Sequence, residues 1–173
     1  MSSRSVFVSV DPSMSNTAVV YGYIENNNLV PIGYKLFQTV KSINKRKPVM
    51  LDRLERITGT ICKMNDFINV IKPDICFGEL PSGSQSSSAS VGVGVSLSIL
   101  AMLPNLKVVT PMDVKKVVGK GVISKEDIIE YCINKYPTFP YERKKDVIIK
   151  GRMEHVCDAI VIAEAAFKTL TFC

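Results

Sequence analysis

A strand with apolar side chains on both faces has to lie inside a sheet that is covered on both sides, and this chain opens with one. Residues 5–10, Ser-Val-Phe-Val-Ser-Val, are rich in β-branched and aromatic types and stop at Asp11-Pro12-Ser13, a turn signal. The pattern predicts a buried first strand with a carboxylate at its end. Residues 17–24 and 29–37 are two further strands, joined by Glu25-Asn26-Asn27-Asn28, where asparagine tolerates the left-handed conformation of a tight turn.

A cationic loop, Lys41 to Lys47, then leads into a segment whose apolar residues Leu51, Leu54, Ile57, Ile61, Met64, Ile68 and Ile71 recur every three or four positions. That spacing predicts an amphipathic helix ended by Pro73. Asp74-Ile75-Cys76-Phe77-Gly78 reads as a short buried strand that delivers Glu79 to its carboxyl end. The Ser-rich run 82–88 is expected to be a flexible loop, followed by small and apolar residues up to Leu103 that form a closely packed helix. Residues 106–109 make another strand. Thr110-Pro111-Met112-Asp113 and Ser124-Lys125-Glu126-Asp127 are both helix starts, with a hydroxyl cap and acidic residues in the first turn. The stretch 138–152 is expected to be irregular and basic, and a last helix to run from about Glu154 to Leu170. The order β-β-β-α-β-α-β-α-α predicts an α/β protein with a mixed sheet and no internal repeat.

At 173 residues and 46% hydrophobic content the chain suits one domain, 1–173. It lacks an apolar run of membrane-spanning length and reads as soluble and intracellular. Five scattered cysteines give no disulfide or zinc spacing, and most are expected in the core. Lys and Arg number 22 against 16 Asp and Glu, a net charge of +6 that favours a polyanionic partner.

Three acidic residues come from separate elements: Asp11 after the first strand, Glu79 after the fourth, and Asp158 in the first turns of the final helix. Taken singly, each has an ordinary explanation as a turn, strand-end or ion-pair residue. Together they match what metal-assisted phosphodiester hydrolysis needs, carboxylates converging from different elements on divalent ions. His155 precedes Asp158 by three residues and so shares its helical face, as a metal ligand or a proton carrier. Glu154 competes for the helical acidic position, but a place at the helix start is accounted for by the helix dipole alone.

These motifs resemble the RuvC group of Holliday junction resolvases. Val10-Asp11-Pro12-Ser13 looks like the family's opening aspartate motif, and Asp74-Ile75-Cys76-Phe77-Gly78-Glu79 like its glutamate strand. The segment from Thr110 through Lys115, Lys116 and Gly119-Lys120-Gly121 to Ser124-Lys125 is similar to a Pro-x-x-Val-Lys segment with its downstream turn and lysine. His155-Val156-Cys157-Asp158-Ala159 matches the closing motif. The resemblance implies an RNase H-like fold with a five-stranded sheet, three antiparallel strands then two parallel, flanked by helices. It implies a homodimer that nicks four-way DNA junctions symmetrically, with two Mg²⁺ or Mn²⁺ ions per site held by Asp11, Glu79, His155 and Asp158. It also implies DNA contacts from Lys115 or Lys116 and from Lys125, in a bacterial cytoplasm or the host cell of a virus or phage.

The sequence departs from the family at Ser13, where glycine is typical, and between Lys115 and Gly119, which is one residue short. Leu80, Pro81 and the Ser-rich run follow Glu79 where family members often carry a base-stacking aromatic, so cleavage preference is expected to be relaxed or set elsewhere. Three alternatives stay open. They are a noncatalytic branched-DNA-binding protein on the same fold, a broader nuclease for branched DNA or RNA, and, ranked last, an ATP-using relative of the actin fold.

Overall fold

The computed structural model describes residues 4–83, 86–119, 124–145 and 147–171. Strand β1 (Ser5–Asp11) holds the centre of the sheet because Phe7, Val8, Ser9 and Val10 are all fully buried, leaving it no solvent face. It pairs antiparallel with β2 (Asn16–Glu25), which pairs antiparallel with β3 (Asn28–Gln38). On its other side β1 pairs parallel with β4 (Ile75–Glu79), and β4 pairs parallel with β5 (Leu106–Val109). The sheet order is β3-β2-β1-β4-β5, the mixed five-stranded arrangement expected from the sequence.

Strand alternation divides the core in two. Val8, Val10, Val19 and Cys76 point to one face and pack with α1 (Val49–Ile71) and α2 (Ser87–Ala101) through Met64, Ile68, Val95, Ile99 and Leu100. Phe7, Ala18, Val20, Phe77 and Val109 point to the other face, against α3 (Pro111–Val118), α4 (Lys125–Lys135) and α5 (Lys150–Thr171). Helix α5 lies closest, because Ala159, Ala163, Ala165 and Ala166 bring its backbone down onto the strands. Both expected capping boxes form, Thr110 with Asp113 and Ser124 with Asp127.

Four expectations change. Helix α5 starts at Lys150, not near Glu154. Buried Met153 anchors the added turn, and Arg152 donates to Glu142 at 2.6 Å and to Gln38 on β3 at 3.0 Å. The segment before it, expected to be irregular, contains a short antiparallel ribbon of β6 (Arg143–Lys144) and β7 (Val147–Ile148). Part of the Ser-rich run is helix, since the Ser86 hydroxyl caps α2 by accepting from the Ala89 amide, while residues 84 and 85 lie outside the described set. The stripe on α1 is covered only in its second half. Thr60, Met64 and Ile68 are buried, whereas Leu51 and Leu54 are 45% and 60% exposed. Cys76, Cys132 and Cys157 are buried and Cys62 is exposed; Cys173 lies outside the described residues. No helix among the described residues is long and apolar enough to cross a membrane.

Gly22 marks the tightest point of the sheet. The register of β2 against β3 shifts between Tyr21 and Gly22, and a Cβ at Gly22 would sit 2.1 Å from the Val30 carbonyl oxygen and 2.8 Å from the Phe7 ring. Backbone cannot yield as a flexible side chain does. Gly22→Ala is therefore expected to cost about 3 kcal/mol, in the range of overpacked cores. Urea unfolding checks this, and a midpoint equal to that of the wild type would mean that the strands part more readily than the register implies.

Candidate active site

The strand geometry alone places the first two carboxylates. Phe7, Ser9 and Asp11 alternate onto the face that α5 covers, as do Ile75, Phe77 and Glu79. The parallel register runs Phe7↔Ile75, Ser9↔Phe77 and Val10↔Gly78, so Asp11 and Glu79 emerge side by side at the carboxyl ends of adjacent strands. Helix α5 crosses above them. It carries His155 and Asp158 one turn apart on the underside, with Ala159 and Val156 buried beside them.

One ligand atom from each of Asp11, His155 and Asp158 can be chosen so that all lie within 4.8 Å of one another, a spacing that a single divalent ion can bridge. His155 Nδ1 lies 3.0 Å from Asp11 Oδ2, and both side chains are about four-fifths buried. The hydrogen bond to Asp11 holds the imidazole above its ordinary pKa, against the opposing effect of burial, so Nδ1–H donates to the carboxylate. Asp158 is pushed up to about 6, first by burial and then by the Asp11 charge. Glu79 is pushed up to about 7 by burial and by the charges of Asp11 and Asp158. Acidic groups that repel one another in a partly buried cleft are a natural seat for hard cations, whose charge would relieve both the repulsion and the burial cost.

Two cations face this cluster. Lys115 on α3 lowers the pKa of Glu79, and Lys125 at the start of α4 lowers that of Asp158 while lying 3.1 Å from Glu154. Lys116, which the sequence could not separate from Lys115, pairs instead with Asp113 on its own helix at 3.1 Å. Lys120 and Gly121 lie outside the described residues. The helix dipole does not account for Glu154. Because α5 begins at Lys150, Glu154 is not a first-turn residue, and its Oε1 sits between Lys125 Nζ and His155 Nε2, 3.5 Å from the latter. The spacing of four to Asp158 was the available signal. On the opposite side of the sheet, Ser96 on α2 donates to the Pro12 carbonyl at 3.0 Å, fixing the turn that follows Asp11.

Thermus thermophilus RuvC in complex with a Holliday junction substrate superposes with a TM-score of 0.67 at 17% identity, covering 97% of this chain and 96% of that one. The chain has the RuvC fold. A second Thermus thermophilus RuvC structure gives 0.66 at 17% identity, with 96% of each chain covered. The Fowlpox virus resolvase bound to its substrate Holliday junction DNA gives 0.57 at 15% identity, over 95% of this chain and 98% of that one. No family model and no curated protein matches the sequence. The RNase H-like architecture inferred from the motifs thus holds over nearly the whole chain.

The crowded carboxylates also set a pH dependence. Their raised values mean that the folded chain holds more protons than the unfolded one from about pH 4, where free carboxyls ionise, up to about pH 7. Stability of the metal-free protein should fall as pH rises across that window. His155 adds to the fall, since its bond to Asp11 stabilises fully only below its unfolded pKa and is lost as pH rises through the raised folded value. Asp158→Asn, which removes one of the repelling charges, is expected to raise the melting temperature in EDTA at pH 8 by roughly 2–6 °C and to change it little at pH 4. Thermal melts at the two pH values test this. A lower melting temperature for the variant at pH 8 would show that Asp158 is held by attraction, not strained by repulsion.

Proposed function

We propose that this protein is a structure-selective DNA endonuclease that nicks four-way junctions by metal-dependent phosphodiester hydrolysis. The observation that carries the proposal is the convergence of Asp11, Glu79, His155 and Asp158 from β1, β4 and α5 at the carboxyl ends of the central strands of a RuvC fold. Asp11, Glu79 and Asp158 would hold Mg²⁺ or Mn²⁺, with His155 joining as a ligand or serving as proton carrier. Bound ions would stabilise the attacking and leaving oxygens of an in-line displacement.

The chain's own groups divide the remaining work. Lys115 and Lys125 stand on the α3 and α4 side of the cleft, where they can neutralise and orient the phosphate being cut. Glu154 aims Lys125 and leans on His155 Nε2, while Asp11 holds the proton on His155 Nδ1. Two symmetric nicks need two such sites, so the proposal includes a homodimer. Helix α2 suits a subunit contact, with Leu97 45% exposed and open space where Gly94 lacks a side chain.

The decisive experiment is a nicking assay on a four-way junction, a fork and linear duplex with Mg²⁺, Mn²⁺ or EDTA. Paired nicks on the junction that need metal and fall at least about 100-fold in Asp158→Asn or Glu79→Gln, with binding retained, are the expected result. Equal cutting of every branched form would make the protein a general debranching nuclease. Binding with no cutting in any metal would make it a noncatalytic junction binder. For the homodimer, Leu97→Asp is expected to halve the mass seen by sedimentation, and an unchanged mass would move the subunit contact away from α2.

A further inference from the structure

Opposite Lys115 and Lys125, on the α1 and α2 face of the sheet, lies a cavity of about 520 Å³ that the catalytic proposal does not use. It is bounded by the loop from Lys41 to Lys47, by the first two turns of α1, by Met14 and Ser15 in the turn after Asp11, and by Gly92 on α2. Its wall is built, not incidental. The Arg56 side chain is 8% exposed, donates to Ser15 Oγ at 3.1 Å and to Thr39 Oγ1 at 3.0 Å, and pairs with Asp52 at 3.7 Å. Asp52 in turn accepts from the Ser42 amide at 3.0 Å, which pins the loop to the helix. Lys47 is held by Glu55 and Asp52.

Lys41 and Lys45 differ from these. Both are exposed at the cavity, and among the described residues no ion pair engages either one. Among the described residues of the lining Asp52 is the sole acidic one, and it is already taken by Arg56. The loop thus presents uncompensated positive charge in a concave wall that begins three residues after a proposed metal ligand. Exposed Ile43 and Met50 flank it, apolar surface left open among the described residues.

We infer that this cavity is a second phosphate-contact site, in which Lys41 and Lys45 grip the backbone of a junction arm away from the scissile phosphate. The inference rests on the proposed junction-cleaving function and extends it to a second face of the protein. Charge complementarity favours nucleic acid. A symmetric contact with a second copy of the chain would bring Lys41 and Lys45 against their own counterparts, with no carboxylate to offset them. Continuity favours it too, since the β1–β2 turn links the cavity wall directly to the cleft, and a strand in the cleft would then meet cations on both faces of the sheet.

The test is equilibrium binding of a labelled four-way junction in EDTA over a range of salt, comparing wild type, the double variant Lys41→Ala with Lys45→Ala, and the double variant Lys41→Arg with Lys45→Arg. The alanine pair is expected to bind about 10-fold more weakly near 0.1 M salt, with the slope of log affinity against log salt shallower by about 1 to 2, the counterions of one or two phosphates. The arginine pair should bind like the wild type. Wild-type affinity and slope in the alanine pair, with the wild type itself binding, would overturn the inference and leave the nuclease proposal standing. Failure of the wild type to bind any branched DNA would overturn both. A fall in mass of the alanine pair by sedimentation would also overturn the inference and assign the loop to a subunit contact.

Discussion

The parallel pairing of β1 with β4 is the constraint on which the rest depends. Two strands aligned in the same direction end at the same edge, and alternation gives their terminal residues the same face. With Asp11 and Glu79 as those residues, the fold brings two like charges together and then covers them with α5, which adds Asp158. The hydrophobic contacts of Phe7, Phe77 and the alanine-rich side of α5 hold the groups in place. The apolar core therefore positions carboxylates that, left to electrostatics, would move apart.

Much of this was legible in the sequence because the signals were periodic or chemical. The apolar run before Asp11, the short strand before Glu79, the two capping boxes and the spacing of His155 to Asp158 all report local rules that the tertiary structure obeys. The pairing of β1 with β4 was not legible from either segment alone. It came through the resemblance of the motifs to RuvC, and the structural similarity to Thermus thermophilus RuvC supports it at the level of fold.

What the sequence misjudged was set by contacts distant along the chain. The start of α5 depends on Arg152 reaching Gln38, more than a hundred residues away, and on Met153 filling the core. With the helix start misplaced, Glu154 looked like a dipole-compensating residue when it is part of the cleft. Leu51 and Leu54 fit a helical stripe by spacing, yet both stay exposed among the described residues. Periodicity shows which side of a helix is apolar, but not how far the covering layer extends. Lys115 and Lys116 are adjacent and chemically identical, and only the packing of α3 turns one towards Glu79 and ties the other to Asp113.

The contact between His155 and Asp11 joins positions 144 residues apart. During synthesis the strand that carries Asp11 emerges well before the helix that carries His155 and Asp158. The cluster cannot form before that helix has been made. Assembly of the cluster is thereby postponed until both ends of this span exist, an ordering that comes from chain order alone.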